Sequence, residues 1–102
     1  MAVLFITEFN DLAQTTRGAA DFPQEPALAE QTVAIGAGSL QSSAFNAATT
    51  YVRIAADAVC SITFGTNPTA TATKRRIAAN VPGECFGVPP GQSYKVAVIT
   101  NT

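Results

Sequence analysis

The stretch TYVRIAADAVCSITFG, residues 50–65, decides how the rest of the chain is read. In its first half Val52, Ile54 and Ala56 alternate with Tyr51, Arg53 and Ala55. After Asp57 and Ala58, a second arm puts Cys60, Ile62 and Phe64 on one face and Ser61 and Thr63 on the other. A side-chain period of two with one apolar face is the pattern of a half-buried strand. Two such arms about an acidic turn predict a β-hairpin with one face in a core.

Toward the C-terminus, TNPTATATK (66–74) is a loop whose Asn67-Pro68 pair starts a turn. It ends on Lys74, Arg75 and Arg76, which lead into a short strand through Ile77. Three adjacent cations suit first a solvated edge that resists edge-to-edge pairing, and second a contact with an acidic partner. NVPG at 80–83 predicts a turn and residues 84–88 a short strand. In CFGVPPGQSYKVAVI (85–99), Pro89 and Pro90 fix φ and give up two N–H donors, while Gly91 permits the positive φ of a tight turn. That rigid corner delivers residues 93–99 into a sheet, with Tyr94, Val96 and Val98 on one face and Lys95, Ala97 and Ile99 on the other. A last strand apolar on both faces should be central or covered by a neighbouring subunit.

Toward the N-terminus, residues 3–9 are rich in β-formers and predict a first strand, covered on both faces or paired at an interface. Residues 10–26, NDLAQTTRGAADFPQEP, hold neither period and predict a loop or arm, with room for a short helical turn at 11–14. In the strand expected over 27–35, Ala29, Gln31, Val33 and Ile35 share one face; LQSSAFN (40–46) predicts a third strand. Seven or eight short strands at intervals of about ten residues, without a convincing helix, predict an all-β fold. The expected form is an antiparallel β-sandwich or jelly-roll-like domain with an extended N-terminal arm. The chain divides into an N-terminal strand and arm over 1–26 and a β-sandwich body over 27–102, one domain in all, as its 102 residues imply.

Composition narrows the function. Apolar residues make up 47% of the chain and charged ones 13%, so it should fold. Alanine and threonine are nearly a third of it and Trp is absent, so each buried side chain removes little area from water and self-association is the simplest added support. A net charge of -1 argues against a nucleic-acid partner, which needs a basic face. The charge is uneven: Glu8, Asp11, Asp21, Glu25 and Glu30 face only Arg17 in the first 30 residues, whereas Arg53, Lys74, Arg75, Arg76 and Lys95 outweigh Asp57 and Glu84 in the rest. This fits two solvated faces, and it also allows one subunit's acidic segment to pair with a neighbour's basic loop. The opening MAVLFITEF is too short and too acidic for a signal peptide, and no stretch has the length of a membrane span.

No histidine is present, which removes Ser/His/Asp and Cys/His arrangements and the commonest zinc ligand. Cys60 and Cys85 read as free thiols, small buried hydrophobes that could bond only if their strands are neighbours. Asp57 and Glu84 could serve as a carboxylate pair only by facing each other across a cleft, and acids at turns are ordinarily turn formers. GAG at 36–38 lacks the rest of a dinucleotide fingerprint. The expectation is a non-enzyme with no catalytic, cofactor-binding or metal-ligating residue. Tyr51 and Tyr94, the two aromatics suited to stacking a sugar, are expected at the core edge.

Taken together, YVRIAADAVCSITFGTNPTATAT, RRIAANVPGECFGVPPGQSYKVAVI and MAVLFITEF resemble the small all-β virion proteins encoded beside the capsid and tail genes of tailed bacteriophages. The resemblance covers residues 51–99, and the N-terminus more loosely. It rests on a V-R-I strand with an acidic turn, a Phe-Gly ending, a Pro-Thr-Ala loop, a P-P-G corner and a final apolar strand. It implies a capsid decoration or cement protein on the shell exterior, made in the host bacterial cytoplasm and bound to the major capsid protein. The implied oligomer is a trimer, or else a dimer, and residues 1–26 are expected to lie as an arm on a neighbour or the shell. A tail or head-tail component, and a small host-surface or carbohydrate-binding module, are the alternatives.

Overall fold

The computed structural model describes residues 2–16, 18–23, 25–80 and 83–101. It is all-β: ten strands and, among the described residues, no helix. They are β1 (Ala2–Phe9), β2 (Leu12–Thr15), β3 (Gly18–Pro23), β4 (Ala29–Ile35), β5 (Leu40–Gln41), β6 (Tyr51–Ala56), β7 (Cys60–Gly65), β8 (Arg75–Ile77), β9 (Glu84–Gly87) and β10 (Lys95–Thr100). One sheet runs β4-β1-β6-β9 and a second β5-β10-β7-β8; β2 and β3 pair only with each other. Every pairing is antiparallel.

The two four-stranded sheets close on one core, sandwich-fashion. Leu4, Ile6, Val33, Val52 and Ile54 come from the first sheet and meet Cys60, Ile62, Ile77, Val96 and Val98 from the second. The alternation read in residues 51–56 holds: Val52, Ile54 and Ala56 are buried and Arg53 is exposed. Ala29, Gln31, Val33 and Ile35 likewise share the inner side of β4. β10 is central in its sheet, between β5 and β7, as its two apolar faces predict.

The hairpin expected over 50–65 does not form. β6 and β7 lie in different sheets, so residues 57–59 are an arch across the core. The acidic turn makes the crossing: Asp57 Oδ1 accepts the Val3 amide (2.6 Å) and the Asp57 amide donates to Val3 O (3.3 Å), which ties the end of β6 to β1 and sends the chain to the other layer. Ser61, expected outward, is wholly buried, and its hydroxyl accepts from Asn101 Nδ2 (2.6 Å). Ser61 and Ala97 lie on the outer side of the second sheet, yet both are fully buried because loop 66–74 folds back over that side. Pro68 and Ala70 are buried in the loop, Gln41 Nε2 holds Asn67 Oδ1 (2.9 Å) and Pro68 O (2.7 Å), and Asn101 Nδ2 holds Ala72 O (3.1 Å).

Three other expectations shift. Strand 40–46 shortens to Leu40–Gln41: beyond it the Ser42 and Phe45 amides still donate to Val96 O (2.8 Å) and Tyr94 O (2.9 Å), but side chains take the partners between, Ser42 Oγ accepting the Val96 amide (3.0 Å) and Gln31 Oε1 the Ser43 amide (2.9 Å). No helical turn forms at 11–14; β2 and β3 make a hairpin instead, turning between Thr15 and Gly18, where Gly18 takes φ 116°. Residues 2–9 of the arm expected over 1–26 are instead β1, a strand between β4 and β6; an excursion from the sheets leaves after Phe9 and closes where the Leu28 amide donates to Glu8 O (2.8 Å). The turn read at 80–83 involves residues 81 and 82, which lie outside the described residues. Gly91 takes the positive φ expected of it, 75°.

Candidate functional site

Three surfaces stand out once the core is accounted for. The first is the outer side of the first sheet. Cross-strand register puts Thr32, Phe5 and Ala55 in one row and Glu30, Thr7, Arg53 and Cys85 in the next. β1 was expected to be covered on both faces or paired at an interface; within one chain Phe5 is 48% exposed, so this side lacks the cover that loop 66–74 gives the second sheet. Phe9 is the exception: it stacks on Tyr51 with ring centroids 5.3 Å apart and is buried.

The second is the β2–β3 excursion, which belongs to neither sheet. Tyr51 pins its base, the phenol donating to Asp11 O at 2.6 Å. Asp11, Glu25 and Glu30 are exposed at this end, and Leu28 is 36% exposed beside them. The molecule measures 46 × 28 × 21 Å, with a radius of gyration of 13.7 Å against ~13 Å for a compact chain of this length.

The third is a groove of about 680 Å³ along the open edge of the layers, between β9 of one sheet and β7–β8 of the other, walled by Phe64, Phe86, Tyr94, Pro89 and Arg75. Its size is in the range of ligand sites, roughly 300–1,000 Å³. The Arg75 guanidinium lies 4.8 Å from the Phe86 ring centroid, a cation–π contact, and the Phe64 ring is 5.6 Å away. Lys74, Arg75 and Arg76 are all exposed, and β8 is an edge strand, which agrees with the edge reading of these cations.

The residues singled out in the sequence do not converge on a reactive centre. Asp57 is engaged by the Val3 amide, while Glu84 is exposed at the start of β9, opposite Ile54. Neither lines the groove. Cys60 and Cys85 are both free: β7 and β9 sit in different sheets. Cys60 is buried as expected, and burial pushes its thiol up to about 11. Cys85 is exposed instead of buried, because edge strand β9 turns it to the open side of the first sheet beside Arg53. Among the described residues no group of three or more Cys, Asp and Glu side chains could hold a metal ion.

Sequence reading missed Glu8. It is 2% exposed, and its carboxylate accepts the Asn46 amide (2.7 Å), the Thr49 hydroxyl (2.9 Å) and Gln31 Nε2 (3.2 Å), organising the irregular segment after β5. Its phase with Leu4 and Ile6 on β1 was the available signal. The groove had no signal in local pattern: residues 85–94 supply most of its lining, but Phe64 and Arg75, which complete it, come from the other sheet. Comparison with family models, curated proteins and solved structures finds no match to this chain.

Proposed function

We propose that the chain is a non-enzymatic structural protein of a tailed-bacteriophage virion, a decoration or cement protein that binds the major capsid protein on the shell exterior and stabilises the shell through its own oligomer. The observation that carries this reading is the unequal treatment of the two sheets. The second sheet has its outer side closed by loop 66–74, while the first leaves Phe5 48% exposed beside an excursion that belongs to neither sheet. Phe5, with Ala55 beside it across the strands, offers a partner apolar surface at the centre of a sheet, and many weak contacts repeated on a symmetric lattice add up to firm attachment. The lack of histidine supports a role without catalysis. A jelly-roll-like arrangement is the finer fold reading, supported by a chain that alternates between layers from β4 through β7 and again from β8 to β10. The arm of this reading is the excursion, residues 10–28, with a trimer as the expected oligomer and a dimer as the other.

Quantitative mass spectrometry of purified particles tests this. A copy number equal to that of the major capsid protein, or a simple fraction such as one third, is expected. A handful of copies per particle moves the chain to a tail or connector, and none overturns the virion reading. Phe5→Glu, whose side chain lies outside the core, should fold normally and lose shell binding. A second reading, a host-surface or carbohydrate-binding module, is favoured by the aromatic groove at Phe64, Phe86 and Tyr94; glycan-array binding abolished by Tyr94→Ala would establish it.

A further inference from the structure

We propose that copies of this chain associate head to tail, the acidic excursion of one seating on the basic β8 edge and the adjoining β8–β9 groove of the next. The proposal rests on the self-association in the reading above and is independent of which particle carries the oligomer. Charge is the first argument. The excursion and its base carry Asp11, Asp21, Glu25 and Glu30 against Arg17, whereas β8 and the residue before it present Lys74, Arg75 and Arg76, all exposed. Three cations on an edge repel the same edge of another copy and attract an acidic segment, which favours contact between two different surfaces.

Shape and chemistry agree. The β2–β3 pair stands apart from both sheets, and an isolated two-stranded hairpin is marginal in water, so it gains from a surface to lie on. The segment DFPQEP, residues 21–26, places one Phe and two Pro between and beside two acids. Across the groove, Phe64, Phe86, Tyr94 and Pro89 form an apolar wall with Arg75 at its rim. Proline rings pack well against aromatic walls, and a segment whose backbone is already restricted by proline loses little freedom on binding. Contact between unlike surfaces is heterologous, and it closes into a ring when the rotation between copies permits. A trimer is the smallest such ring that is not a dimer.

A charge swap tests the pairing. One variant carries Asp21→Lys with Glu25→Lys, the other Lys74→Glu with Arg76→Glu; Arg75 is left in place because it stacks on Phe86. Wild type and both variants are compared by sedimentation velocity, with thermal melts as the folding control and Asp21→Asn with Glu25→Gln as the milder replacement if the first variant does not fold. Each variant alone should self-associate at least about tenfold more weakly than wild type, and a 1:1 mixture should recover association, since the reversed excursion of one meets the reversed edge of the other. Wild-type-like association of either variant alone, or a mixture that stays apart, overturns the head-to-tail pairing while leaving oligomerisation intact. A wild type that remains monomeric at high concentration overturns both.

Discussion

At the scale of single residues, Glu8 and the two cysteines carry the sharpest consequences. Glu8 ties the irregular segment after β5 to β1 by accepting the Asn46 amide and the Thr49 hydroxyl, and it also accepts Gln31 Nε2 from β4. Glu8→Ala leaves the Asn46 amide and the Thr49 hydroxyl unpaired inside the protein and should cost about 2–4 kcal/mol in urea unfolding; Glu8→Gln, which keeps a carbonyl acceptor, should cost clearly less. For the thiols, an alkylating reagent at pH 8 should label Cys85 alone in the folded chain and both in denaturant. The Cys60 thiol sits at about 11 in the folded chain against 9.0 in the open. Between these values the unfolded chain has released the proton that the folded chain keeps, so stability present below pH 9 falls as pH rises toward 11. Replacing Cys60 with Ala should flatten that alkaline decline, measured as unfolding free energy against pH.

At the scale of elements, the arch at residues 57–59 matters most. A period-two pattern with an apolar face is the same for two strands of one sheet and for two strands facing each other across a core, so the run 50–65 could not distinguish them. The difference lies in Asp57 and its reciprocal contact with the Val3 backbone. Asp57→Ala removes the 2.6 Å bond and should cost about 1 kcal/mol. Gly83 makes the approach to β6 on the other side of the same strand: a Cβ there would stand 2.6 Å from Ile54 O. Gly83→Ala should therefore destabilise by about 1–3 kcal/mol through the backbone shift it forces, read as a lower midpoint in urea at unchanged slope. Loop 66–74 shows composition misleading in the opposite direction. Its small polar residues suggest a solvated loop, yet Pro68 and Ala70 are buried by carboxamide contacts from Gln41 and Asn101. Gln41→Ala should loosen the loop and speed hydrogen exchange at the Ala70 amide, which otherwise donates to Ser39 Oγ (2.8 Å).

At the scale of the whole molecule, two layers enclose one core built largely from Val and Ile, with the acidic excursion at one place and the basic edge at another. If the proposed pairing of these surfaces holds, self-association should weaken as salt rises from about 50 mM to 500 mM, over which screening shortens the reach of exposed charges severalfold. Sedimentation that is insensitive to salt would point instead to the open side of the first sheet, where Phe5 is the exposed apolar residue, as the contact.

Local pattern alone determined the all-β class, the inner face of β6 and the positive φ of Gly91, sorted the β4 side chains into two faces, and narrowed β10 to a central or subunit-covered place, because alternation and turn chemistry are properties of neighbouring residues. It also exposed the segregation of acids from bases, which needs only counting. Only the tertiary structure decided that β6 and β7 part into different sheets, that β1 sits inside a sheet, that Cys85 faces out and that Phe64, Phe86 and Arg75 converge on one groove. Each of these depends on which strands become neighbours, and that choice is made by long-range packing and backbone pairing that no short window of sequence contains.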